Sequence, residues 1–100
     1  MKLGYSNIHK VNSTIERIVE LYGVEKKEFL SKTKTNRLVR PRHMISCILS
    51  DLGYTSREIG ELIGKDQSTV RYSIRAVKDW AKLNSRNLSE YKEMKKAVLA

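Results

Sequence analysis

Between Thr55 and Arg75 the chain reads TSREIGELIGKDQSTVRYSIR, and this stretch restricts the fold more than any other. Thr55 followed three residues later by Glu58 is a capping-box pattern, which opens a helix. The apolar face of that helix holds Ile59, Leu62 and Ile63. Gly64 interrupts it, and Asp66 is placed to cap a second helix. Val70, Ile74, Val77 and Ala81 recur at helical spacing along the second helix. Two short amphipathic helices joined this closely must cross at short range. A helix-turn-helix needs a small residue where the helices cross, a glycine in the turn and an apolar anchor in the second helix. Gly60, Gly64 and Val70 fill these places in order, so the motif is expected at about residues 55–81.

The rest of the chain is consistent with that start. No segment sustains the alternation of a strand, and the one proline, Pro41, lies far from any hairpin pattern. Ile15, Ile18, Val19 and Tyr22 line a helix expected to begin near Asn12 or Ser13 and to stop at Gly23. A turn of helix is expected over residues 25–30, then a loop through SKTKTNRLV. Pro41 suits the first turn of a further helix, because its missing N–H has no partner there. That helix should run to about Leu52, bury Met44, Ile45, Ile48 and Leu49, and stop at Gly53. A last helix, from about Ser89, should bury Tyr91, Met94 and Val98. The expectation is an all-α fold of five to six helices in one compact domain spanning residues 1–100.

Charge points to the partner. The net charge is +9 and the sequence pI about 9.9, which suits a polyanion, either nucleic acid or an anionic membrane surface. The excess is patterned. Residues 29–50 carry Lys32, Lys34, Arg37, Arg40 and Arg42 and no acid, and residues 64–78 add a further excess of basic residues. The mean hydropathy of −0.50 fits a globular chain, and no apolar run approaches the roughly 20 residues of a membrane span. The first residues, MKLGYSNIHK, lack the apolar stretch of a signal peptide. A single cysteine, Cys47, allows no disulfide within the chain, and the cytoplasm is the expected compartment.

With Val70, Ile74 and Val77 turned inward, Gln67, Ser68, Arg71, Arg75 and Lys78 face outward, with Thr69 at the margin. The N-terminal residues of a recognition helix touch base edges. Gln67 can pair with adenine, Ser68 can donate or accept, the Thr69 methyl can meet thymine, and Asp66 can accept from a cytosine amino group when not occupied as a cap. Arg71, Arg75 and Lys78 suit phosphates. The basic run from Lys32 to Arg42 is a candidate arm for a minor groove or a phosphate backbone.

RPRHMISCIL followed by REIGELIGKDQSTV resembles the C-terminal DNA-binding domain of the bacterial replication initiator DnaA. That family shows a PRQ-type helix start, an EIG first helix and an RDHTTV-type second helix. The resemblance covers roughly residues 30 to 80 and implies an all-α bundle with a Trp-repressor-like helix-turn-helix. It implies that Asp66, Gln67, Ser68 and Thr69 face the major groove, that Lys34 enters the minor groove, and that Arg42 and His43 lie along the backbone. It also implies a cytoplasmic, nucleoid-associated protein of bacterial or phage origin. The turn here is one residue shorter than the family's. Gln67 and Ser68 stand for His and Thr, which implies a different base preference.

Catalysis is not expected. His9 and His43 are separated by 33 residues, and Cys47 reads as a core residue rather than a ligand, so no metal and no cofactor are expected. Glu58 and Glu61 are accounted for by capping and solvent. Trp80 reads as packing, and Tyr72 is able to stack on a base. No G-x-x-x-x-G-K-[ST] phosphate loop is present, so ATP-driven origin opening is not expected of this chain alone. The expected partner is double-stranded DNA, with a replication or transcription protein as a second candidate and no membrane; the oligomeric state stays open. The alternatives are a transcriptional repressor with a generic helix-turn-helix, a module that docks a protein, and a charge-driven nucleic-acid chaperone.

Overall fold

The apolar stripe of the first helix reaches one turn further back than its polar residues indicate. In a computed structural model, which describes residues 5–32 and 35–99, helix α1 spans Tyr5–Tyr22. Val11 lies four residues before Ile15, and both are buried with Thr14, Ile18 and Val19. Asn12 and Ser13, expected to start the helix, sit on its exposed side instead. Gly23, in left-handed backbone (φ 67°), ends it as expected. The short helix α2, Lys26–Phe29, then drives Phe29 into the core.

Helix α3 spans Asn36–Asp51, so half of the expected loop is helical and Pro41 lies inside the helix rather than in its first turn. Pro41 cannot donate to the carbonyl of Arg37, a loss that normally ends a helix. Tertiary contacts offset it. Leu38 is completely buried, Arg37 pairs with Glu28, and Arg40 is held by Glu90 across the fold. The far end of α3 closes on Gly53, where Gly53 N–H donates to Ser50 O (3.0 Å) and Tyr54 N–H to Leu49 O (3.1 Å). This is a Schellman closure, with Tyr54 and Leu49 both in the core.

Helices α4 (Ser56–Ile63) and α5 (Gln67–Leu83) form the helix-turn-helix, and α6 (Ser85–Leu99) follows after a single residue, Asn84. Helix α6 begins one turn before the expected Ser89. Its first turn has little apolar pattern and is set by polar contacts. Asn87 N–H donates to Asn84 Oδ1 (2.8 Å), and the Asn87 amide donates to Trp80 O (2.9 Å). One core takes residues from all six helices, from Val11 to Val98. Helix α5 packs on α3, α4 and α6, and α1 packs on α3 and α6. Among the described residues no strand occurs and no helix is long and apolar enough to cross a membrane.

Candidate nucleic-acid interface

The turn between α4 and α5 is built around a side chain that is missing. A Cβ on Gly60 would lie 2.5 Å from the backbone oxygen of Lys65 and 3.6 Å from Gln67 N. The start of α5 therefore crosses α4 where only glycine fits. Gly64 makes the turn in left-handed backbone (φ 70°), and Lys65 N–H donates to Gly60 O (2.9 Å). At the other end of α4 the capping box is complete. Glu58 N–H donates to Thr55 Oγ1 (3.1 Å) and Thr55 N–H to Glu58 Oε1 (2.8 Å). Buried Ile59, Ile63 and Val70 fix the crossing.

That crossing leaves the first turn of α5 open to solvent. Asp66, Gln67, Ser68 and Thr69 are all exposed. Asp66 holds the N-cap position (φ −65°, ψ 150°), and its carbonyl accepts from Val70 N–H (3.0 Å). Its carboxylate makes no capping hydrogen bond, unlike the expected partial occupation, and stands in solvent. Arg71, Arg75 and Lys78 are exposed further along the helix.

A groove lies on each flank of α5. One, of about 650 Å³, runs between α3, the α4–α5 turn and α5, and its polar lining includes Lys32, Arg42, His43, Lys65 and Thr69. Burial lowers the pKa of the Lys65 ammonium, and the neighbouring charges of Arg42 and Lys32 lower it further. Cations that crowd one another in this way favour an arriving anion. The other groove is lined by Ser50, Ser56, Ile74, the cations Arg71, Arg75, Lys78 and Lys82, and one acid, Asp79. Lys65 and Lys82 were not singled out in the sequence. The signal for Lys65 was its place in the turn, but its contact with Ser31 O, 34 residues away, is tertiary.

The basic run divides by partner. Lys34 lies outside the described residues, and Lys32 is exposed. Arg37 pairs with Glu28. Arg40 donates to both carboxylate oxygens of Glu90 (2.7 and 2.9 Å) and lies 4.5 Å from the centroid of the Trp80 ring. That pairing lowers the Glu90 pKa. Arg42 donates to the carbonyls of Phe29 (2.9 Å), Glu28 (3.1 Å) and Ser31 (2.9 Å), tying the end of α2 to α3. Arg40 and Arg42 thus hold the scaffold on which Lys32 is presented.

His43 sits against two aromatic rings, with centroids 5.8 Å from Tyr72 and 5.4 Å from Trp80. Its Nδ1 is buried without a hydrogen-bond partner, and burial lowers its pKa. Trp80 is half-buried, whereas Tyr72 is 68% exposed at the edge of the first groove. Cys47 is a buried core residue whose thiol pKa burial raises, so it is not poised as a nucleophile. The side chain of His9 lies outside the described residues.

Residues 11–77 match a family model, the bacterial dnaA protein helix-turn-helix. The match begins within α1, ends at Val77 in α5 and leaves α6 outside it.

Proposed function

The chain belongs to the bacterial DnaA protein helix-turn-helix family, which binds DNA, and from that premise we propose that it reads a specific sequence in double-stranded DNA. The observation that carries this reading is the exposed first turn of α5, Asp66 to Thr69, raised between two grooves lined with cations. A major groove about 12 Å wide admits one helix. A helix seated there brings its two flanks towards the two phosphate backbones.

In this arrangement Gln67, Ser68, Thr69 and the uncapped Asp66 read base edges. Arg71, Arg75 and Lys78 hold phosphates of one strand, while Lys32 and Lys65 meet the other. Lys34 is the candidate for the adjacent minor groove. Arg42 and His43 line the groove that Lys32 and Lys65 share, and Arg37 and Arg40 are further candidates for the backbone, with Arg40 and Arg42 contributing mainly by holding the scaffold. Bound in this way, the domain marks or occludes an origin or regulates a promoter. It acts as a binding protein rather than as an enzyme.

Selection from a random duplex pool tests the reading, followed by fluorescence anisotropy on enriched and scrambled duplexes. A recurring motif bound more tightly than its scramble is the expected result. Equal affinity for every duplex would point to a charge-driven binder, and no duplex binding would point to a protein partner.

A further inference from the structure

We propose that His43 is a proton-coupled phosphate contact: duplex DNA entering the groove between α3 and α5 is gripped by the His43 imidazolium, formed by uptake of one proton on binding. The proposal rests on the DNA-binding reading above and adds a titratable contact to it.

The imidazole is held rather than free. Tyr72 and Trp80 both lie within the roughly 6 Å over which an aromatic ring attracts a cation. The ring lines the groove beside residues suited to an anion. Nδ1 is enclosed, which leaves Nε2 as the nitrogen to meet a ligand in the groove. The surrounding charges are mostly positive. Arg42 lies on the same helix, Lys32 in the preceding loop and Lys65 in the α4–α5 turn, with Asp66 the one acid among them and the Tyr72 phenol facing from α5. Arg40, beyond Trp80, is already neutralised by Glu90 of α6. Cys47, one turn along α3, is buried with its thiol protonated.

In the free protein a further positive charge on this half-buried ring is opposed by burial. A phosphate in the groove offsets that cost. It supplies the counter-charge and an acceptor for Nε2–H, while the two neighbouring aromatic rings tolerate charge on the imidazole. The bound complex therefore holds one more proton than its separated parts over a window around the ordinary histidine pKa of about 6.5. Affinity for DNA rises as pH falls through that window, by up to about tenfold for each unit by which DNA raises the His43 pKa.

The test is an NMR titration of the His43 ring protons in the wild-type chain, alone and with the duplex enriched by selection. It is paired with anisotropy on the same duplex between about pH 5.5 and 8. The expected result is a higher His43 pKa in the complex, and an affinity that climbs towards acid in wild type and in the His9→Gln control. His43→Gln, whatever its absolute affinity, should lose that climb. An unchanged His43 pKa, or the same pH slope in His43→Gln, would overturn the proposal while leaving sequence-specific binding intact. Failure of every duplex to bind would overturn both together.

Discussion

Gly60 and His43 show how single residues carry the site. Gly60 owes its place to a distance: a methyl group there meets the Lys65 carbonyl at 2.5 Å. Gly60→Ala should lower stability by about 1–3 kcal/mol, the usual range for forcing an extra carbon into packed structure, read from a thermal melt. The same shift of the turn should weaken DNA binding, read by anisotropy. The identity of Gly60 as the crossing residue was legible from the spacing of EIGELIG, because only the helix period was needed. His43 was legible only as a candidate backbone contact. Its orphaned Nδ1 and its two aromatic neighbours depend on α5 folding back over α3. Burial holds its folded pKa below its unfolded value, so the unfolded chain binds more protons between the two. The His43 contribution to stability should be flat above about pH 6.5 and fall as pH drops from there through the folded pKa. Urea melts of wild type and His43→Gln across that range check this, and the variant should lack the decline.

Among the elements, α6 has the largest effect for the least visible signal. It lies outside the family match yet ties three helices. Glu90 receives Arg40 of α3 and the Tyr22 hydroxyl of α1 (3.2 Å), and Asp51 of α3 accepts from Tyr91 and from Lys95 (3.2 Å). Hydrogen bonding to Arg40 holds the Glu90 pKa below its ordinary value. Its stabilisation is therefore present above about pH 4.5 and lost as pH falls through the folded pKa. Glu90→Gln should cost about 1–2 kcal/mol at neutral pH, less than a fully buried pair because both partners are partly exposed. The difference from wild type should vanish in acid, as urea denaturation at two pH values will read. At the other end of the motif, Thr55→Ala removes half of the capping box and should cost about 1 kcal/mol.

Element starts are less legible in the sequence than element stops. Helix α1 begins before Asn12, α3 before Pro41 and α6 before Ser89. Asn12 and Ser89 are polar residues on a solvated face that imitate a boundary, whereas Pro41 is buried inside α3, where tertiary contacts offset its missing hydrogen bond. The helix stops at Gly23, Gly53 and Gly64 were read correctly, because left-handed backbone is a local requirement that glycine meets.

At the scale of the whole molecule, the excess of positive charge is distributed on both sides of one exposed helix turn. If Lys32, Lys34, Lys65, Arg71, Arg75 and Lys78 each neutralise a phosphate, the logarithm of the binding constant should fall against the logarithm of salt with a slope of about −5. Anisotropy across a salt series measures it. Gln67→Ala and Ser68→Ala should narrow the gap between enriched and scrambled duplexes, whereas Lys65→Ala should weaken both alike and flatten the salt slope by about 1. Identical behaviour of the two classes of variant would overturn the assigned roles.

What the sequence determined by itself was whatever depends on neighbours along the chain: helical periodicity, the capping box at Thr55, the glycine stops, the crossing at Gly60 and the outward set from Gln67 to Lys78. Which arginines remain available to a ligand was decided by the tertiary structure alone. Arg37, Arg40 and Arg42 are alike in a string of letters. Folding places Glu28 beside one, Glu90 and Trp80 beside the second, and three backbone carbonyls around the third. Folding likewise joins Lys32 and Lys65 in one groove. Helix formation is governed by residues three and four apart, whereas a charge is satisfied by whatever lies within a few ångströms, and for these groups that neighbour comes from up to 50 residues away.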